Sequence, residues 1–259
     1  MTAPARPGPN LRELLDGDHV LVGPWVVLVD TLATEVVCSA APDFIVIDCQ
    51  HGRGTVETAL PLLQVAGAYA TAGIIRVPSC ERAVIMRALD FGASAVIVPM
   101  VNSVDQARQA ADAMRYPPQG VRSFGPLRAG PSGGALLLVM IETAEGLANV
   151  GEIAAVDGVD GIFIGPVDLT LGIGAAGPKD AFGAASGPVT IAAVEQIAAA
   201  VAANNKILAS AAFGNDHAHA LVRLGVRLVV TGSDLGWLRT SAAAGARLRT
   251  DLTEGLARA

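Results

Sequence analysis

The sequence predicts a single (β/α)8 barrel, and three observations carry that expectation. Short apolar runs alternate with helical segments along the whole chain. Eight such runs fit into 259 residues, a length typical of the fold. No linker or compositional shift divides the chain. A doubly wound open sheet is the alternative. It usually carries a Gly-rich phosphate loop after its first strand, and the GPWVV at Gly23–Val27 is not one.

Residues 1–10, MTAPARPGPN, are Pro-rich and are expected to form a disordered tail, leaving 11–259 as the barrel. Strands buried on both faces of a parallel sheet read as short continuous apolar runs. The first is Leu21–Leu28, followed by a helix ending near Ser39. The second is Asp43–Cys49, followed directly by Gln50-His51-Gly52 and a helical segment over Thr55–Tyr69. The third is Ala72–Val77, with Arg76 at its end; Ser79 can cap a helix over Cys80–Asp90 that Gly92 stops. The fourth is Ala95–Met100. Ser103 and Gln106 then form an S-x-x-Q capping box for a helix to Arg115, ended by Pro117-Pro118. A loop over 116–134 leads to the fifth strand at Leu136–Ile141. The sixth is Gly161–Gly165, followed by a Gly-rich loop over Gly172–Pro188 and a helix over Val189–Asn204. Strand Ile207–Ala212, helix Asp216–Leu224 closed by Gly225, strand Leu228–Thr231 and helix Gly236–Leu252 complete the pattern.

Composition narrows the function. The chain is 52% hydrophobic and 16% charged, with mean hydropathy +0.49. No apolar run approaches the ~20 residues of a spanning helix, so a well-filled interior and buried subunit surfaces are the simpler account. The net charge is −6 with no basic cluster, which argues against nucleic acid or an anionic membrane as partner. Cys38, Cys49 and Cys80 are odd in number and lack CxxC spacing, which argues against a disulfide framework or a zinc site. The N-terminus has no apolar signal core, and a cytoplasmic enzyme is expected.

Barrel enzymes place their chemistry at the carboxyl ends of the strands. Read there, the chain offers Trp25, Gln50 with His51, Arg76, Pro99-Met100, Glu142 and, just past the sixth strand, Asp168. Glu142 and Asp168 are two carboxylates at successive strand ends, the oxygen donors that hard divalent cations take. Either alone reads more simply as a helix-start acid; together, in a ring of other polar residues, they point to a metal. His51 alone could be a loop histidine bonded to a carbonyl, Arg76 could pair with a carboxylate, and Trp25 reads more readily as packing. Asp48, inside an apolar run, must be paired if buried. Asp90 ends its helix, where the macrodipole disfavours an anion, so it needs solvent or a cation such as a histidine. Only two lysines exist. Lys179 lies in the Gly-rich loop and Lys206 precedes the seventh strand, at the wrong end of the barrel, which argues against a Schiff-base mechanism. If this barrel makes or breaks carbon–carbon bonds, a metal must stabilise the enolate.

The stretches GPWVV, DFIVIDCQHG, IIRVP, LDFGASAVIVPMV, RYPPQGVRSFGP, MIETAEGLANVGEIAAVDGVDGIFIGPVDLTLGIG and VVTGSDL occur in this order over most of the chain. Together they resemble the HpcH/HpaI family of class II, metal-dependent pyruvate aldolases, related to citrate lyase β subunits. The resemblance implies a divalent metal (Mg2+, Mn2+ or Co2+) held by Glu142 and Asp168, with substrate and waters completing its shell. It implies that His51 is the base, acting through water on the substrate hydroxyl or on pyruvate C3. Arg76 would bind the pyruvate oxygens and steady the enolate. Asp90 would raise the histidine's basicity, across a subunit interface. The backbone N–H groups of Gly165, Val167 and Asp168, with Pro166 beside them, would cradle the substrate carboxylate, and Trp25 and Gln50 would touch substrate. It also implies a small-molecule 2-oxo acid and an aldehyde as partners and a homo-oligomer, trimer or hexamer, with a swapped C-terminal helix.

Three departures stand out: Gln50 where many members have Glu, Met140 where a Gln often touches substrate, and a short Gly125–Leu136 segment. They leave the metal and enolate chemistry in place and point to an unusual or smaller acceptor. The expected activity is therefore a metal-dependent aldolase acting on a 4-hydroxy-2-oxo acid. Its rivals are an acyl-CoA lyase of the malyl- or citryl-CoA type, for which the chain is short of basic residues, an oxaloacetate decarboxylase sharing the same enolate, and a non-catalytic barrel.

Overall fold

The computed structural model describes residues 8–17, 19–128 and 134–258. Eight parallel strands close into one barrel in chain order, the last pairing back onto the first. They are β1 (Leu21–Val26), β2 (Phe44–Asp48), β3 (Ala72–Arg76), β4 (Ala95–Val98), β5 (Leu136–Ile141), β6 (Gly161–Ile164), β7 (Ile207–Ala212) and β8 (Leu228–Ser233). The main outer helices are α2 (Thr31–Ser39), α3 (Ala59–Ala68), α4 (Arg82–Asp90), α5 (Val104–Met114), α10 (Pro188–Ala203), α11 (Asn215–Arg223) and α12 (Asp234–Arg258). Short helices α6 (Ala144–Ala148), α7 (Val150–Ala154), α8 (Pro166–Gly172) and α9 (Ala181–Ala184) fill the connections around β6. Among the described residues no helix is long and apolar enough to cross a membrane.

The period of two along each strand divides the apolar residues between two layers. Phe44, Val46, Ile74, Ile97, Leu138, Phe163 and Leu228 belong to the barrel interior. Their neighbours Ile45, Ile47, Ile75, Val96, Val139 and Ile162 pack outward against the helices. The same parity fixes the site. Two residues on from Val46 is Asp48, two on from Ile74 is Arg76, and two on from Met140 is Glu142, so each is delivered to the inner face at the carboxyl end.

The ends of several elements differ from the sequence expectation, for local reasons. β1 stops at Val26 rather than Leu28 because the Val27 and Leu28 N–H groups donate to the Asp234 carboxylate (2.9 and 3.1 Å) instead of continuing the ladder. Ser79 does not cap α4; Glu81 occupies the cap position without a side-chain bond. Ser103 accepts the Gln106 N–H at 3.3 Å, as a cap should. Gln106 Oε1, however, accepts from Asn102 N–H rather than Ser103, so the capping box is shifted by one residue. The helical segment after β2 opens with a single 3-10 turn, Val56–Thr58. Of the expected tail, residues 1–7 lie outside the described residues, while the Pro9 carbonyl accepts from Ser94 and Asn10 caps helix α1 (Leu11–Leu15). Leu11 of α1 is fully buried within the interior cluster and closes the barrel floor. Burying one leucine contributes about 1.5–3 kcal/mol, which accounts for a five-residue helix holding its place.

Candidate active site

At the carboxyl end the sheet register sets Asp48 directly beside Arg76 on the neighbouring strand. The two form a bidentate ion pair: Arg76 Nε donates to Asp48 Oδ1 at 2.9 Å and Nη2 to Oδ2 at 2.6 Å. Their side chains are 9% and 3% exposed, respectively. Asp48 Oδ1 also accepts the backbone N–H groups of Gln50 (3.0 Å) and His51 (3.1 Å), so one carboxylate orients both the arginine and the turn that carries the histidine. Burial alone would raise the Asp48 carboxyl; the Arg76 bonds and charge, with the two amides, outweigh it and hold it below the ordinary range. Gly52 completes the turn, because a Cβ there would lie 2.0 Å from the Asp48 carbonyl oxygen.

On its other face the Arg76 guanidinium lies 4.4 Å from the centre of the Trp25 ring, and Trp25 meets Phe163 edge-on at 5.7 Å. Trp25 is thus packing, as its size suggests, and what it packs is the Arg76 guanidinium. With three contacts fixing it, Arg76 is pre-organised to meet an oxyanion.

Glu142, at the end of β5, is buried against Gly165. Its Oε1 accepts the Met100 N–H at 2.7 Å. Met100 has φ +57°, a left-handed conformation that a non-glycine residue holds only where its surroundings demand it. Burial, together with the negative charge of nearby Asp168, pushes the Glu142 carboxyl above the ordinary range, against the Met100 bond and the Arg76 charge. Asp168 sits in the first turn of α8. Gly165 precedes it and permits the close approach: a Cβ there would stand 2.5 Å from Glu142 Oε2. A buried Glu142 carboxylate beside the exposed Asp168 carboxylate suits a hard cation, which relieves the cost of burying the first next to the second. Among the described residues no third acidic, histidine or cysteine ligand joins them. That fits Mg2+-like ions, which bind through one or two carboxylates and leave positions for water and substrate oxygens.

Trp25, His51, Arg76, Gly165, Pro166 and Asp168 line the inner end of one cavity of about 660 Å3, and Glu142 lies against Gly165. Met140 forms part of the cavity floor and Val167 part of its wall. The expected N–H cradle needs one correction. The Gly165 N–H donates to the Ile141 carbonyl at 3.3 Å and is not available to a ligand. Val167 and Asp168, in the first helical turn, carry N–H groups that no preceding helical carbonyl can take. Gln50 is half-buried, with its Oε1 enclosed and without a hydrogen-bond partner among the described residues. Neither lysine lines the cavity, and Lys206 Nζ donates to the Val159 carbonyl at the opposite end of the barrel (2.7 Å).

Asp90 is not brought to His51 within the chain. Of the two alternatives, solvent or a cation, it has a cationic partner, and that partner is Arg122 (3.1 Å), which also stacks on Tyr116 at 4.7 Å. The Asp90 carbonyl accepts the Leu127 and Arg128 N–H groups as well.

Several residues in and around the site were not singled out from sequence. Asp234 at the end of β8 accepts three backbone N–H groups, from Val27, Leu28 and Leu235, and ties the β8 exit to the β1 exit. The cavity mouth holds Phe182, Phe213 and Trp237. Phe213 and Trp237 follow strands seven and eight closely, a position that gives them away only once strand ends are being searched for apolar as well as polar groups.

The family profile described as HpcH/HpaI aldolase/citrate lyase matches residues 21–241. A 5-keto-4-deoxy-D-glucarate aldolase of Klebsiella pneumoniae subsp. pneumoniae is 33% identical over 246 residues, covering 90% of this chain and 94% of that protein. A hydroxypyruvate/pyruvate aldolase of Delftia acidovorans is 34% identical, covering 94% and 92% respectively. The crystal structure of a family protein from Burkholderia cenocepacia superposes with a TM-score of 0.82 at 27% identity, covering 93% of this chain and all of that one (100%). With the barrel, the strand-end carboxylates and the fixed arginine in place, the chain belongs to the HpcH/HpaI aldolase/citrate lyase family and is an aldolase, a carbon–carbon lyase.

Proposed function

We propose that this chain is a divalent-metal-dependent aldolase that cleaves or forms a 4-hydroxy-2-oxo acid from pyruvate, or a related 2-oxo acid, and an aldehyde. The observation that carries this reading is the pinned Arg76, held by Asp48 and Trp25 and lining one cavity with His51, Asp168 and Gly165, the glycine against which the Glu142 carboxylate is set.

Glu142 and Asp168 are the residues to hold the cation, and a bound divalent ion supplies Lewis-acid polarisation of the 2-oxo group. The N–H groups of Val167 and Asp168 receive the substrate carboxylate at the start of α8. His51 takes the proton of the 4-hydroxyl, directly or through water, as the C3–C4 bond breaks and the aldehyde departs. The electron pair of that bond passes into the C2–C3 enolate, whose oxygen Arg76 stabilises. Returning a proton to C3 completes pyruvate. In the synthetic direction the same groups act in reverse, and no covalent enzyme intermediate is needed. An oxaloacetate decarboxylation would use the same enolate and the same residues.

Because Asp90 is engaged with Arg122 and not with His51 in its own chain, a role for Asp90 in catalysis requires a second copy of the chain, in keeping with a homo-oligomer.

Glu142→Gln tests the metal assignment. The variant is expected to keep its circular dichroism spectrum, to lose calorimetric Mn2+ binding, and to release no pyruvate from 4-hydroxy-2-oxopentanoate. Unchanged Mn2+ affinity with turnover would show the assignment to be wrong.

A further inference from the structure

The cavity changes character along its length. Its inner end carries every charged or titratable lining residue, His51, Arg76 and Asp168. The outer end, built by β7, β8, α9 and α12, carries none. Its floor holds Ala211, Ala212 and Val230, its rim is aromatic, and its polar side chains among the described residues are the uncharged Ser233 and Thr240.

Three rings form that rim: Phe182 on α9 (67% exposed), Phe213 just past β7 (38%) and Trp237 on α12 (47%). They are held in place. Phe182 meets Phe213 edge to face, with centroids 5.6 Å apart at 77°. Phe213 stacks on His217 at 5.8 Å, and its N–H donates to His217 Nδ1 at 3.2 Å. An imidazole that accepts there is neutral, and burial lowers the His217 pKa in the same sense. Trp237 lies against Gly232, where φ is +70° and a Cβ would fall 2.7 Å from the indole Nε1. Large rings kept this exposed on fixed backbone lack a reason in the chain's own packing, since each would bury far more apolar surface with a ligand between them.

Resting on the aldolase reading above, we propose that Phe182, Phe213 and Trp237 are the acceptor-recognition surface, and that the preferred acceptors are uncharged aldehydes with an apolar substituent. The aldehyde carbon forms its new bond to pyruvate C3, which gives up one proton, and the aldehyde oxygen gains one; the substituent then projects outward between the three rings. An acceptor ending in a carboxylate would set that charge among rings, alanines and the hydroxyls of Ser233 and Thr240, with no cation among the described residues lining that end to meet it.

The experiment compares 4-methylpentanal with succinic semialdehyde, its near isostere ending in a carboxylate, using pyruvate and Mn2+ with the full chain. The kcat/KM ratio is expected to favour 4-methylpentanal by about tenfold or more, from the burial of its terminal methyl groups. In Phe182→Ala and in Trp237→Ala that ratio is expected to fall about tenfold. Phe182 is largely exposed, so its truncation leaves the core intact. Equal or better use of succinic semialdehyde, or a ratio unchanged in both variants, would overturn the proposal, as would rings that serve only a contact between chains. Exchange of pyruvate C3 protons is recorded in parallel on the unmodified protein. Its absence would overturn the aldolase reading and this proposal with it, whereas exchange with the wrong acceptor preference overturns this proposal alone.

Discussion

Replacing Asp48 by Asn keeps the shape of the side chain and removes its charge. It leaves the Arg76 guanidinium, 9% exposed, without its counter-ion. Asn offers one acceptor oxygen, so one of the two bonds at 2.9 and 2.6 Å is lost and its NH2 is brought against an arginine donor. Removing one partner of a buried pair costs about 3–5 kcal/mol. For a chain of this size, at about 2–4 °C per kcal/mol, the melting temperature is expected to fall by about 10 °C. The pH dependence has a defined sign. In the fold the Asp48 carboxyl lies below its ordinary value, about 3.9. The stability it contributes is therefore complete above that value and is lost as the pH falls through the lowered native one. The gap in stability between parent and Asp48→Asn is accordingly expected to be constant from pH 7 to about 5 and to shrink below about 4. Asp48 acts as a positioning residue through Arg76. At a temperature where both proteins are folded, kcat/KM for pyruvate is expected to drop about hundredfold, the scale of a 1 Å misplacement of a catalytic group. Urea or thermal melts across pH, with steady-state rates at one pH, supply the measurements. A variant that melts within 2 °C of the parent (roughly 1 kcal/mol or less) and keeps the pyruvate KM would refute the argument that this pair fixes Arg76.

Two further outcomes follow from the site. Gly165→Ala places a Cβ 2.5 Å from Glu142 Oε2. Mn2+ affinity measured by calorimetry is expected to weaken by about 10–100-fold, while the circular dichroism spectrum stays that of a barrel; unchanged affinity would mean that Glu142 and Gly165 do not share the cation site. Treatment with pyruvate and borohydride is expected to add no mass and to leave activity intact, because neither lysine reaches the cavity. A trapped adduct in the mass spectrum would reinstate an imine mechanism.

Much of this architecture is legible in the sequence because one rule, alternation along buried strands, does several jobs at once. It marks the eight strands, it assigns Asp48, Arg76 and Glu142 to the inner face, and it sets Asp48 level with Arg76 once the register is known. What the sequence leaves open is which buried groups meet. Asp48 needed a partner and Arg76 invited one, but nothing in the local pattern joins residues 28 apart. Asp90 shows the converse. Its place at a helix C-terminus called for solvent or a cation, and the cation supplied by its own chain is Arg122, from a loop whose course no periodicity sets. Strand ends blur where side chains compete for backbone donors, as Asp234 does at Val27 and Leu28. The family resemblance implies the Gly165 N–H as a ligand donor, and the adjacent strand carbonyl of Ile141 takes it instead. The rim of Phe182, Phe213 and Trp237 is not legible among the polar strand-end residues, because nothing in the local pattern separates an aromatic ring at a cavity mouth from one in the core.

The central claim is that Arg76, His51 and the Glu142–Asp168 pair together support enolate formation from a 2-oxo acid. The most direct test is exchange of the pyruvate C3 protons in D2O, followed by NMR, with Mg2+ or Mn2+ and again with excess EDTA. It requires no knowledge of the aldehyde. Exchange that proceeds with metal, stops with EDTA and is lost in His51→Ala and Arg76→Ala is the expected result. Absence of exchange in protein shown to bind metal would contradict the claim and direct attention to CoA esters or another 2-oxo acid.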